Sequence, residues 1–279
     1  MIGHKIAQVL ESRNEIIGTS RKSIEPINIG LKNSKIIFKN FTVDTDFNFL
    51  NNLMPDIIIN CVGITTRRIN NINISQLEFI NSKLPHILGD WAINNKRRLI
   101  HLSTDCVFSG KTGNYKDNSS HDATDLYGKS KSLGEVNNKN TLTIRTSLIG
   151  REIFNFTELF EWFHSNNGGK VSGYDNVIYS GITTIRLGKL LEKLINDFPN
   201  LSGIYNFSSE PITKYSLLNL INKHFELGIK IFKDLKIKSN KVLISKNFTE
   251  ITGINPPNWD ELILEFKEDS IAYNTLYKN

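Results

Sequence analysis

The chain has 279 residues, 39% of them hydrophobic and 22% charged, with a formal net charge of +6. That is the composition of a soluble globular protein, with room for one large domain or two ordinary ones. No apolar run approaches the ~20 residues needed to span a bilayer and no signal-peptide pattern opens the chain, so the expectation is a cytoplasmic protein without a membrane partner.

Strand candidates alternate with amphipathic segments over the first 150 residues. The strands are "EIIGTS" (15–20), "KIIFKNF" (35–41), "DIIINCVG" (56–63), "RLIHLSTDCVF" (98–108) and "TLTIRTSLIG" (141–150). Several are continuously apolar and β-branched, which suits strands buried on both faces of a parallel sheet. Helices are predicted at about 2–12, 45–53, 75–95 and 125–138. The third of these carries Leu77, Ile80, Leu84, Ile87, Leu88 and Trp91 at close to helical spacing. This alternation predicts an α/β fold with a Rossmann-like, doubly wound parallel sheet over residues 1–150. After residue 150 "EIFNFTELFEWFHSN", "TTIRLGKLLEKLINDF" and "KYSLLNLINKHF" read as helices, "GIYNFSS" as a strand and "KVLISKN" as a further short strand. Residues 151–279 form a smaller α/β lobe on the substrate side, partly interleaved with the first.

The basic balance favours anionic partners. Its lysines are spread along the chain, and no zinc-finger, RNP or helix-turn-helix pattern is present, so nucleic acid is not expected. Cys61 and Cys106 each follow an apolar segment and read as buried reduced thiols. The six histidines are scattered with no His-x-x-x-His pair, so no metal site is expected.

In an open α/β sheet, ligands bind at the carboxyl ends of the strands, so chemistry is sought there. Ser20, Arg21 and Lys22 follow the first legible strand. A fold binding NAD usually has Asp or Glu in this region for the ribose 2′-hydroxyl. Hydroxyls and cations suit a 2′-phosphate instead and favour NADP, although an ordinary basic loop reads equally well. Asp44, in "VDTD", is positioned to accept from an adenine amino group or to cap the next helix. Gly63, in "CVGITT", offers close backbone approach to a cofactor, or a tight turn.

The strongest signal is "HLSTDCVFSG" followed some twenty residues later by "LYGKSK". A buried strand there ends in the polar cluster Ser103, Thr104 and Asp105. In a helix, Tyr127 and Lys131 stack one turn apart, with Cβ atoms about 6 Å from each other. Carbonyl reduction needs such a set: a tyrosine to give a proton as hydride arrives, a lysine to lower its pKa, and a hydroxyl to hold the oxygen.

"STDCVFSG", "YGKSK" and "IRTSLIG", in that order, resemble the extended short-chain dehydrogenase/reductases. Within them the chain is most similar to the dTDP-4-dehydrorhamnose reductases and related nucleotide-sugar reductases. The likeness covers nearly the whole chain, including "PDIIINCVG", "FINSKLPHILGDWA", "GITTIRLGKLL" and "GIYNFSSEPITKYSLLNLI". It implies Tyr127 as proton donor, Lys131 as its tuning cation and nicotinamide-ribose ligand, and Thr104 as the third catalytic residue. It places Thr104 and Asp105 against the sugar, and Gly63, Ile64 and Thr65 along the cofactor. Asp44 and Thr45 would lie near the adenine, with Asn81 on the neighbouring helix. Met1, Ile2 and Gly3 would line the cofactor where the first helix begins. The implied activity is NADPH-dependent reduction of the 4-keto group of a nucleotide-activated 6-deoxyhexose, for a surface polysaccharide. The implied partner is a nucleotide-diphosphate sugar, and oligomeric state stays open, with a homodimer as one outcome.

Two rivals remain at this point. An epimerase on the same fold fits the motifs; a dehydratase fits less well, because no Glu follows Asp105. The likeness also extends to a regulatory subunit of methionine adenosyltransferase, which implies a non-catalytic alternative. Gly3 matches the final glycine of a Gly-x-x-Gly-x-x-Gly turn, and the strand and two glycines that normally come before it are absent. A strand plus those glycines is about ten residues. The expectation is that Met1 is an internal methionine of a longer chain; the alternative is a shortened chain that binds NADPH poorly or folds with a partner strand.

Overall fold

The computed structural model describes residues 1–276. Strands β1 (Ile17–Ser20) and β2 (Lys35–Phe38) pair in parallel. A second parallel sheet holds β3 (Ile57–Asn60), β4 (Arg98–Thr104) and β5 (Thr141–Thr146), in the spatial order β10-β5-β4-β3. Its fourth member, β10 (Gly203–Asn206), returns from the second half of the chain to lie beside β5. Among the described strands β1 pairs only with β2, and β3 only with β4, so the parallel strands form two pieces with the break between β1 and β3.

Helices cover both faces, which is what doubly wound means physically. On one face α1 (Ile2–Leu10) packs on α7 (Thr184–Asp197), and their Ile6, Leu10, Leu187 and Leu191 join Ile100, Leu142 and Ile144 of the sheet. That core runs on into α8 (Lys214–Phe225) and α10 (Trp259–Ile271) through Leu217, Ile221, Leu262 and Phe266. On the opposite face α3 (Ile74–Glu78) and α4 (Leu84–Asn94) bury Leu77, Leu84, Leu88 and Ala92 against Leu99. Residues of β4 and β5 are buried throughout, as their continuous apolar runs predicted.

The remaining α-helices are α2 (Asn48–Leu53), α5 (Leu126–Leu133), α6 (Leu159–His164), α9 (Lys246–Thr252) and α11 (Tyr273–Leu276). Short strands β6 (Leu148–Ile149) and β9 (Ile182–Thr183) pair with each other, as do β7 (Lys170–Tyr174) and β12 (Lys230–Asp234). In a further small sheet β8 (Val177–Tyr179) lies between β11 (Ile212–Thr213) and β13 (Ser239–Asn240).

Several boundaries differ from the sequence reading for local reasons. The continuous helix expected at 75–95 is interrupted by a π turn at Phe79–Lys83. Pro85 has no N–H to donate to the carbonyl four residues back, which is that of Asn81, and its ring pushes that carbonyl aside. The helix expected to reach residue 138 stops at Leu133, because Gly134 lies against the Asn81 carbonyl oxygen, where an added Cβ would overlap it. Residues 141–150 split at Ser147 into β5 and β6, and the second piece changes sheets. "KVLISKN" is not a strand: Leu243 makes one isolated bridge to Tyr115, and α9 starts at Lys246.

Candidate active site

β4 is longer than β3: their ladder ends at Asn60 and His101, leaving Leu102, Ser103 and Thr104 beyond the end of β3. The polar end of the strand thus opens on the carboxyl edge of the sheet. Thr104, its last residue, is 8% exposed. Its Oγ1 accepts from the Cys106 amide at 3.1 Å and donates to Asp105 Oδ1 at 3.1 Å.

α5 brings Tyr127 to this edge. Asp125 caps the helix by accepting from the Gly128 amide at 2.9 Å. A Cβ on Gly128 would overlap the Cys106 carbonyl, so glycine is what lets the first turn sit against the end of β4. Burial raises the Tyr127 pKa above its usual value, the Cys106 thiol raises it further, and the Thr104 hydroxyl opposes them.

Lys131 is buried one turn on, and burial lowers its pKa to about 8 against the opposing pull of Glu135. Its Nζ donates to the Leu102 carbonyl at 2.8 Å. In this structure the Lys131 ammonium is thus turned toward the strand, one helical turn from Tyr127.

Asp105 is 5% exposed and burial raises its pKa; Lys241, Thr104, Cys106 and Lys214 oppose the rise. Burial and the Asp105 charge hold the Cys106 thiol up at about 12, against the pull of Lys241. Cys61, also a buried thiol, is likewise held at about 12.

A second group of residues borders the first. Asn81, in the π turn, is fully buried. Its Oδ1 accepts from the Ile64 amide at 2.8 Å, and its Nδ2 donates to the Ile64 carbonyl at 2.9 Å and to Ser130 Oγ at 3.0 Å. It thus ties the Gly63-Ile64-Thr65 loop to α5. Gly63 has neither a left-handed φ nor a packing need: an added Cβ would meet only Asn81 Oδ1, at 3.8 Å. Thr65 Oγ1 is buried and has no hydrogen-bond partner among the described residues. Gly3, at the start of α1, lies over Cys61 at the end of β3, and the Met1 amino group feels Glu152, Arg68, Cys61 and Glu158. Met1, Ile2 and Gly3 therefore stand at the same carboxyl edge.

The residues after β1 and β2 stand apart from this group. Ser20 Oγ accepts from the Lys22 amide at 3.2 Å, Lys22 Nζ lies 4.7 Å from the Phe154 ring, and Arg21 is exposed. Thr45 Oγ1 accepts from the Thr42 amide at 2.7 Å. Asp44 is exposed and does not cap α2, whose N-cap position is Phe47 without a side-chain cap; Asp46, just before it, accepts from the Asn48 amide at 2.9 Å. No contact among the described residues joins Ser20, Arg21, Asp44 or Thr45 to Thr104 and Tyr127.

The sequence reading missed the network behind α5. Glu135 accepts from Arg145 Nε at 2.8 Å and Nη2 at 2.7 Å, and from Ser103 Oγ at 2.6 Å. His121 Nε2 lies 3.1 Å from the same carboxylate. Burial would raise the Glu135 pKa, but the Arg145 and His121 hydrogen bonds outweigh it and hold the carboxyl at about 2. Two signals point to this pair: Glu135 continues the four-residue spacing of Tyr127 and Lys131, and Arg145 interrupts an apolar strand.

A sequence model described as the RmlD substrate binding domain matches residues 1–176. A dTDP-4-dehydrorhamnose reductase of Aggregatibacter actinomycetemcomitans is 28% identical over 181 residues, which is 62% of this chain and 62% of that protein. The match thus spans less than two thirds of that relative. The spore coat polysaccharide biosynthesis protein SpsK of Bacillus subtilis is 27% identical over 77% of this chain and 80% of its own. Methionine adenosyltransferase 2 subunit beta of Xenopus tropicalis is 27% identical over 62% of this chain and 55% of its own. Among solved structures, a hypothetical dTDP-4-dehydrorhamnose reductase from Sulfolobus tokodaii superposes with a TM-score of 0.75 at 22% identity, over 92% of this chain and 93% of that one. The Bacillus anthracis dTDP-4-dehydrorhamnose reductase in complex with NADP gives 0.74 at 19% identity, over 92% and 100%. These superpositions show a Rossmann-like fold, and the match to residues 1–176 places this chain in the RmlD substrate-binding-domain family.

Proposed function

We propose that the chain is an NADPH-dependent reductase of a nucleotide-activated keto-sugar, acting on the 4-keto group of a 6-deoxyhexose in the making of a surface polysaccharide. The observation that carries this reading is the seating of the first turn of α5 on the carboxyl end of β4, with Gly128 against the Cys106 carbonyl, which brings the Tyr127 hydroxyl within the influence of Thr104. Two hydroxyls at one strand end are what a carbonyl oxygen needs: one to hold it, the other to give it a proton. The names of the relatives, a dTDP-4-dehydrorhamnose reductase and a polysaccharide biosynthesis protein, support the same substrate class.

The residues fit a nicotinamide dinucleotide on two counts. Gly63 leaves its backbone approachable without a demand from the fold, and Thr65 Oγ1 is a buried hydroxyl without a partner. Met1, Ile2, Gly3, Gly63, Ile64 and Thr65 would hold it, with Asn81 fixing the loop and Lys131 at the ribose. Ser20 and Arg21 would take a 2′-phosphate, and Asp44 and Thr45 would border the adenine. When bound, the reduced nicotinamide supplies hydride. Thr104 fixes the substrate oxygen, Tyr127 gives it the phenolic proton, and the Lys131 ammonium one turn on stabilises the phenolate that remains. Asp105 orients the sugar from the next position in the chain.

The methionine adenosyltransferase subunit among the relatives favours a second reading, a binding protein without turnover. One assay separates the two: NADPH consumption with 4-keto-6-deoxy sugars carried on dTDP and on UDP. Turnover supports the reductase, and tight NADPH binding without turnover on either substrate supports the binding protein.

A further inference from the structure

Strands β7 and β12 pack on α8 with one face and leave the other to solvent. Alternation puts Val171 and Ile231 inward, and Lys170, Tyr174, Lys230 and Phe232 outward. Phe232 is 47% exposed and Tyr174 38%. The next four residues, 235–238, read Leu-Lys-Ile-Lys, with Leu235 58% and Ile237 48% exposed. Their backbone is pinned: the Asp234 carboxylate accepts from the Lys236 amide at 2.8 Å, and Asn176 Nδ2 donates to the Leu235 carbonyl at 2.9 Å. The apolar side chains are thus held outward by a tied turn.

Single exposed apolar side chains are ordinary. Four of them gathered on two strands and the adjoining turn, with lysines between, mark an interaction surface. From 230 to 238 the chain has four lysines and one aspartate. Lys233 belongs to the inner side and is paired with Asp175 at 2.8 Å. Lys170, Lys230, Lys236 and Lys238 form no ion pair among the described residues. The register sets Lys170 directly opposite Lys230, on strands about 4.8 Å apart. Like charges so placed repel, and an external anion relieves them. Lys230 Nζ lies 5.3 Å from the Phe232 ring centroid, so cation and ring stand together.

The composition of the face selects its partner. Lysine is depleted in protein–protein interfaces, where arginine is enriched, and neither β7 nor 230–238 contains an arginine. Beside an anionic bilayer lysine is favoured, and apolar side chains set among lysines enter the headgroup boundary. We propose that this face docks on an anionic lipid bilayer, with Phe232, Leu235 and Ile237 in the headgroup boundary and the four unpaired lysines against lipid phosphates. No helix among the described residues is long and apolar enough to cross a membrane, so the contact is with the surface alone. It departs from the sequence expectation of no membrane partner, and it does not depend on the reductase reading.

Co-sedimentation tests it, with vesicles of phosphatidylcholine alone and with phosphatidylglycerol added. The wild type should pellet with the phosphatidylglycerol vesicles, far less with the neutral ones, and less as salt screens the lysines. Lys236→Gln with Lys238→Gln should weaken partitioning roughly 25-fold, about fivefold for each lysine at an anionic surface. Leu235→Ser with Ile237→Ser should weaken it roughly tenfold through lost apolar insertion. Lys83→Gln with Lys96→Gln removes the same charge beside α4, on the opposite side of the parallel sheet, and should leave binding unchanged. Unchanged circular dichroism and melting temperature certify the fold of each variant. The proposal is overturned if the wild type stays in the supernatant with phosphatidylglycerol vesicles at low salt, which would leave a protein partner for this face. It is also overturned if neutral vesicles bind equally well, if neither double variant at 235–238 weakens binding, or if the Lys83 and Lys96 pair matters as much.

Discussion

Arg145 grips Glu135 with two nitrogens, Nε to Oε1 at 2.8 Å and Nη2 to Oε2 at 2.7 Å, and the side chains are 4% and 3% exposed. The pair joins β5 to the chain just beyond α5, and Ser103, the residue before Thr104, donates to the same carboxylate. Helix and strand thus keep Tyr127 and Thr104 in register through one buried carboxylate. Glu135→Gln leaves the guanidinium buried without its counter-charge, and loss of one partner of a buried pair costs about 3–5 kcal/mol. Denaturant unfolding at neutral pH measures that loss.

The same carboxyl gives a pH signature. Its folded pKa of about 2 lies below the ordinary 4.5, so its stabilising contribution is complete above 4.5 and disappears as pH falls through about 2. The wild type should lose stability progressively across that window. Glu135→Gln should lose less over the same range, as thermal melts from pH 6 to about pH 2 would record.

Gly134 lies against the Asn81 carbonyl oxygen, in the π turn that precedes Pro85. Gly134→Ala must displace either the end of α5 or the π turn. Overpacking of this kind costs about 3 kcal/mol. Because Asn81 also holds Ile64, NADPH affinity should fall along with the melting temperature. Normal values of both would show that the contact is soft.

Burial sets the Lys131 pKa at about 8, so the ammonium is complete below that value and is lost as pH rises through it. If the ammonium serves proton supply to Tyr127, kcat/KM for keto-sugar reduction falls above about pH 8. A profile flat to pH 10 would separate Lys131 from the chemistry.

Arg21 is exposed after β1, beside Ser20. Arg21→Asp should reverse or erase a preference for NADPH over NADH, since a carboxylate repels a 2′-phosphate. The ratio of the two dissociation constants reads this directly, and equal affinities in the unmodified chain would remove the basis for the assignment.

The α/β alternation and the strand ends were legible because buried parallel strands are continuously apolar and polar residues then stand out at their ends. "STD" at the end of β4 and "YGKSK" on α5 were readable for that reason, and the structure seats the first turn of α5 against that strand end, Gly128 on the Cys106 carbonyl. The interruption at Phe79–Lys83 was not read, although Pro85 announced it, because the apolar periodicity of 75–95 runs straight through a π turn. The orientation of Lys131 was also out of reach: i,i+4 spacing gives proximity to Tyr127, but the choice of the Leu102 carbonyl depends on where β4 ends relative to β3.

The most direct measurement is the turnover of Tyr127→Phe, followed as NADPH absorbance with a 4-keto-6-deoxyhexose carried on dTDP or UDP. The substitution removes one hydroxyl from a half-buried ring and leaves the packing of α5 in place. The account predicts a fall of about 10² or more in kcat with NADPH affinity and fold retained. More than half of wild-type turnover in that variant would contradict it.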